Sequence, residues 1–195
     1  KTLADTKLNN VITVNTQYNI AVNERMTAFS GLKAYATRLV NALQTTDAST
    51  ETINNAKAFN RKMQGKRASA APTPVDTNSP APNTISTSQL SYDQLIQHLS
   101  GLKAVLAAEP FYAPNETDLQ VATLQTKIDE LIAKNNAVAT AYANISNARI
   151  DRNEAIYHPE TGIVAIANDV KKYIKSVFGA SSPQFAQVKG LQFRS

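Results

Sequence analysis

Residues 121–156 read VATLQTKIDELIAKNNAVATAYANISNARIDRNEAI. Val121, Leu124, Ile128, Leu131, Val138, Tyr142, Ile145 and Ile156 fall on one series of alternating three- and four-residue steps, and Asn135, Arg149 and Arg152 fill its remaining positions. A side chain returns to the same helix face about every 3.6 residues, so this alternation marks one stripe along a helix, where a strand would alternate every second residue. The spacing predicts a helix over 116–157, about 60 Å long at 1.5 Å per residue.

A second series runs Leu8, Val11, Asn15, Tyr18, Val22, Arg25, Phe29, Leu32, Ala36, Leu39 and Leu43. It predicts another long helix, over 4–45, by the same reasoning. Shorter helices are expected between and after these. Residues 50–66 carry Ile53, Ala56, Phe59 and Met63 on one face, and 91–108 carry Leu95, Leu99, Leu102 and Leu106. Ser91 followed by Gln94 has the spacing of a capping box. A last helix over 162–179 presents Ile163, Ile166, Val170, Tyr173 and Val177. Ser182-Pro183 predicts a short terminal turn, and Leu191-Gln192-Phe193 is the one stretch that reads as a strand. The fold expected is all-α, an elongated antiparallel up-and-down bundle of two long and three shorter helices. It forms one domain over 1–195, crossed by a Pro/Ala/Thr/Ser-rich connection at 68–89.

The polar residues in the two seams set the register. If residue 43 lies near residue 118, antiparallel pairing brings Arg25 opposite Asn135, where both stripes turn polar together. A lone buried guanidinium is expensive, so contact between the two is expected. Asn15, Arg25, Asn135, Arg149 and Arg152 have two readings. They are register-setting contacts with arginines reaching towards water, or the lining of a polar pocket for an anion or small ligand.

Composition excludes much chemistry. The chain has 195 residues, 43% of them apolar and only 18% charged, with a net charge of +5. No cysteine is present, so disulfides, thiolate metal sites and cysteine nucleophiles are absent. His98 and His158 are the only histidines. Neither belongs to a metal-binding motif, and both read as structural, His98 at a surface or boundary position and His158 in a turn before Pro159. Six glycines form no phosphate-cradling loop or nucleophile elbow. Asp129, Glu130, Asp151 and Glu154 lie beside lysines and arginines, the pattern of solvated ion pairs. No enzyme activity, cofactor or metal is expected.

The densest basic cluster is Lys57, Arg61, Lys62, Lys66 and Arg67, with Lys171, Lys172 and Lys175 forming a second. Cations near a helix C-terminus offset its dipole, which is the structural reading. The functional reading joins Arg61, Lys62, Lys66 and Arg67 with Lys172 and Lys175 in one anion or partner patch, with loose contact to polyanions. Phe29-Ser30-Gly31-Leu32-Lys33-Ala34 is echoed by Leu99-Ser100-Gly101-Leu102-Lys103-Ala104. As a duplication it would make 29–66 and 99–135 pseudo-symmetric hairpins.

NRKMQGKRA (60–68), FYAPNETDLQVATL (111–124), NARIDRNEAIY (147–157) and YIKSVFGASSPQFAQVKGLQF (173–193) resemble an uncharacterised bacterial family of all-helical proteins. The resemblance covers nearly the whole chain and implies one compact helical unit. It implies no activity, so no functional residues are carried over.

The function expected is non-enzymatic binding or assembly, with a protein partner met through helix faces. Weak nucleic-acid association through the basic helix ends, and small-ligand binding in a polar pocket, are the alternatives. No stretch has the ~18–20 apolar residues of a membrane span. The cytoplasm is the expected location, and a start at Lys1 instead of Met leaves room for a removed upstream segment. Oligomeric state is open.

Overall fold

A glycine divides the first of the two long helices. The computed structural model of the protein describes residues 2–65 and 90–193. Helix α1 spans Thr2–Phe29 and α2 spans Leu32–Gln44, where a single helix over 4–45 is expected. Gly31 has φ +74°, in the left-handed region that costs a residue with a Cβ about 1–2 kcal/mol. Ser30 N–H donates to Thr27 O at 3.1 Å, and the Gly31 carbonyl already accepts from Tyr35 N–H at 2.9 Å. The chain therefore turns within two residues and restarts. The three-four spacing carries through the break, so periodicity conceals it.

The other helices lie close to their expected places. Helix α3 spans Thr50–Met63 and stops short of residue 66. Ser49 opens it by accepting from Thr52 N–H at 3.1 Å. Helix α4 spans Tyr92–Ala108, opened by Ser91, which accepts from Gln94 N–H at 3.2 Å. After a 3-10 turn at Thr117–Leu119, α5 runs unbroken over Val121–Tyr157. Helix α6 spans Ile163–Phe178, and Pro183–Lys189 forms a true helix, α7, in place of a short turn. Residues 191–193 form no strand, and none occurs among the described residues. The connection at 68–89, with Lys66 and Arg67, lies outside the described residues.

The chain divides into two compact units, one contiguous (Asn23–Ala137) and one discontinuous (Lys1–Val22 with Val138–Ser195). In each, α1 and α5 run antiparallel. The contiguous unit pairs Glu24 with Lys134 at 2.9 Å. The discontinuous unit pairs Lys7 with Asp151 at 2.7 Å and sets Tyr18 against Tyr142, with ring centres 6.1 Å apart.

The contiguous unit holds a dense apolar core. Leu39, Leu43, Met63, Leu99, Leu102, Leu106, Leu124 and Leu131 are almost wholly removed from water. Burial of each contributes about 2 kcal/mol. Helix α3 packs on both α2 and α4. At the second crossing Gly101 lies so close to Phe59 that a Cβ there would sit 2.3 Å from a ring carbon. The echoed hexapeptides thus adopt different structures. In the first copy Gly31 ends a helix. In the second, Ser100 Oγ donates to Ile96 O at 2.9 Å within an unbroken helix, and Gly101 admits an aromatic ring.

This contact makes a testable conflict of signs. Ala in place of Gly in a helix interior gains up to about 1 kcal/mol in propensity. Crowding a packed site costs about 1–3 kcal/mol. Gly101→Ala is expected to destabilise by roughly 1 kcal/mol in urea unfolding, and Phe59→Leu in the same chain to restore most of the loss. A stabilised Gly101→Ala protein would show the crossing to be looser than described.

The discontinuous unit buries far less. Among the described residues, Val138, Ile145 and Ala148 are its buried apolar side chains, and α6 buries none. Along α5 the stripe changes phase: Asn135, Val138 and Ala141 follow at steps of three and three, a stammer. Beyond it Ala141 and Ala148 turn inward, while Tyr142 and Arg149, expected in the seam, are exposed. In α1 the expected seam residue Leu8 is 46% exposed.

Candidate functional site

Arg25 and Asn135, predicted to meet, do so. Arg25 Nη1 donates to Asn135 Oδ1 at 3.1 Å, and Asn135 Nδ2 donates to Asp93 Oδ1 at 2.7 Å. The amide therefore relays between a cation and an anion, with its oxygen and nitrogen both engaged. The Arg25 guanidinium lies 4.1 Å from the centre of the Tyr92 ring, which in turn meets Phe29 edge-on at 4.7 Å. A cation stacked on an aromatic face gains about 0.5–2 kcal/mol. Arg25 Nε is buried without a hydrogen-bond partner, so the guanidinium is held only in part. The arrangement joins α1, α4 and α5 and fixes their register. Beside it, the Glu24 carboxylate accepts from Lys134 and raises the lysine pKa above its ordinary value.

The remaining seam residues are not gathered into a site. Asn15 is half-buried and Arg149 is exposed. Arg152 donates to its own neighbour, Asn153 Oδ1, through Nε at 3.2 Å and Nη2 at 2.8 Å.

The basic residues fall into separate places. Arg61 and Lys62 occupy the last turn of α3, both exposed, with the Lys62 ammonium 5.6 Å from the Phe59 ring centre. They belong to the contiguous unit, and Lys172 and Lys175 to the discontinuous one. Lys172 pairs with Asp169 at 2.9 Å, and Lys175 stands in the last turn of α6, where it offsets the helix dipole. Neither unit by itself contains the combined patch.

His98 lies deeper than the surface or boundary position expected of it. It is 6% exposed, and its Nε2 has no hydrogen-bond partner. Leu95, His98 and Leu102 continue a three-four spacing, so a signal for burial was present beside the more obvious leucines. Burial first, and the Lys62 charge second, push the imidazole pKa below its ordinary value. The unfolded chain then binds a proton more readily than the folded one, so stability is lost as pH falls. The loss is expected to begin near the unfolded value of about 6.5 and to end once the folded pKa is passed. His98→Leu should flatten that part of the stability–pH curve measured by urea unfolding; an unchanged slope would exclude His98 as its source. His158 is a turn residue: its Nδ1 accepts from Glu160 N–H at 3.2 Å and Thr161 N–H at 3.1 Å.

The feature that periodicity located but misplaced is the face of α6. Ile166, Val170, Tyr173 and Val177 were expected to pack into the bundle. They are 51%, 51%, 69% and 52% exposed. Helix α6 packs instead on α7, and Lys171 Nζ donates to the carbonyls of Lys189 and Leu191. Among the described residues, no helix is long and apolar enough to cross a membrane, and no three His, Cys, Asp or Glu side chains group to hold a metal ion.

No family model, curated protein or solved structure matches the chain, which accords with the resemblance to a family without an assigned function.

Proposed function

We propose that the protein is a non-enzymatic binding or assembly protein that works through a helix face, and that α6 carries this face. The supporting observation is the exposed stripe Ile166, Val170, Tyr173 and Val177. Apolar groups left in water forgo about 25 cal/mol for each Å² that a partner would cover. Scattered exposed apolar residues are ordinary, whereas a contiguous stripe marks an interaction surface. An amphipathic helix recognises a partner through anchors at this spacing.

Affinity capture from native lysate, with quantitative mass spectrometry, compares the wild-type bait with Ile166→Glu/Val177→Glu. Both positions are half exposed, so the fold is expected to survive, as circular dichroism would check. The wild type should retain proteins that the variant loses. Identical retention by the two baits would remove α6 as the binding face.

A further inference from the structure

We propose that the exposed face of α2 and α3 binds the phosphate backbone of duplex nucleic acid without reading its sequence. This surface belongs to the contiguous unit and stands apart from the α6 face. Lys33, Lys57, Arg61 and Lys62 are exposed there, and none has an ion-pair partner among the described residues. Arg38, the other cation of α2, is taken by Asp118 at 2.7 Å. Glu51 is the one carboxylate in the two helices. It stands in the first turn of α3, about 15 Å along the axis from Arg61.

The two helices are locked side by side. Gln64 Nε2 donates to Lys33 O at 2.9 Å and lies 3.1 Å from Asn60 Oδ1. Asn60 Nδ2 in turn donates to Thr37 Oγ1 at 3.3 Å. Lys33, at the start of α2, is thereby brought beside the last turn of α3, which carries Arg61 and Lys62. At 100° per residue, Lys57, Arg61 and Lys62 fall within an arc of about 140°, turned away from buried Ala56 and Met63. The frame is fixed, so binding has only the cationic side chains to order.

Helix dipoles account for only part of this charge. Arg61 and Lys62 offset the C-terminal end of α3. Lys57 stands in mid-helix, too early for that role. Lys33 is the second residue of α2, where the positive end of the dipole repels a cation. An anion over the face gives both lysines a partner.

The character of the face selects the anion. Neither α2 nor α3 exposes a large apolar side chain, whereas α1, α5 and α6 all do. A protein partner is gripped through apolar and aromatic anchors, and a membrane through apolar side chains set among the cations. This face offers neither. Interfaces with nucleic acid are more polar and far more positively charged. No exposed aromatic ring provides a platform on which bases could stack, which disfavours a single strand. A duplex turns its phosphates outward and carries one charge per ~1.7 Å of axis.

Fluorescence anisotropy of a labelled mixed-sequence DNA duplex, titrated with the full chain, tests this. Four phosphate contacts predict about a hundredfold loss of affinity between about 50 mM and about 200 mM salt. Lys33→Gln/Lys57→Gln/Arg61→Gln should weaken binding about tenfold or more at the lower salt and reduce the salt slope by about three. Its urea midpoint should not fall, because the three side chains are exposed and Lys33 opposes its own helix dipole. Arg149→Gln/Lys172→Gln/Lys175→Gln removes the same charge from the other unit and should bind as the wild type does. No binding at the lower salt, an equal loss in this charge-matched variant, or tighter binding to a single strand of the same length overturns the proposal. If the duplex does not bind but the wild type retains lysate proteins that the first variant loses, the face belongs to an acidic protein instead.

Discussion

Leu131→Ala is expected to lower the unfolding free energy by about 3 kcal/mol, and Leu39→Ala by a similar amount. Both side chains are wholly buried in the contiguous unit. Truncation removes the transfer gain of three carbons and leaves a cavity that close-packed neighbours only partly fill, a combination that typically costs 2–5 kcal/mol. Ile166→Ala removes the same number of carbons from a side chain that already faces water. Its cost should be about 0.5 kcal/mol or less in the purified protein, with no partner on α6. Urea midpoints followed by circular dichroism separate these outcomes. Equal losses at Leu131 and Ile166 would mean that the α6 stripe is covered within the chain.

Asn135→Leu should cost about 2–3 kcal/mol for a different reason. The substitution removes both halves of the relay at once. Asp93 is exposed and regains water. Arg25 is half-buried, already lacks a partner at Nε, and would lose its acceptor at Nη1. Arg25→Met added to Asn135→Leu should recover most of the loss, because an apolar pair of similar volume carries no orphaned charge. The double-mutant cycle is expected to give a coupling of about 1–2 kcal/mol. Additive single effects would show that the two side chains do not share an interaction.

These two experiments bear on what was legible before the structure. The stripes located the helices, because burial demands a face and a face demands a period. The Arg25–Asn135 contact was legible because a polar interruption in one seam is tolerated only where the other also turns polar. The break at Gly31 is hidden, since one left-handed residue interrupts the helix without disturbing the three-four count. Tyr142 and Arg149 were misplaced because counting favours large residues and strict heptads. The structure instead uses small alanines after a stammer, where the helices can approach. His98 reads as a surface or boundary residue because its polarity masks its place on the α4 stripe. The exposure of α6 was beyond reach: an amphipathic pattern shows that a face is apolar, and says nothing of what covers it. The basic clusters show the same limit, for a count of lysines does not reveal that Lys172 is taken by Asp169.

The division of the chain into a contiguous and a discontinuous unit bears on its synthesis. Residues 23–137 leave the ribosome as one uninterrupted stretch and hold the denser core, so that unit is complete as soon as Ala137 has emerged. The first residues of α1 emerge earlier and have nothing to pair with. The ion pair between Lys7 and Asp151 closes over 144 positions of sequence. At about 5–20 residues per second, that gap is a wait on the order of ten seconds. Throughout it Leu8, Val11 and Ile12 travel on a nascent chain whose matching helix has yet to be made. The two segments of the discontinuous unit are translated far apart in time, and that unit is the last to assemble.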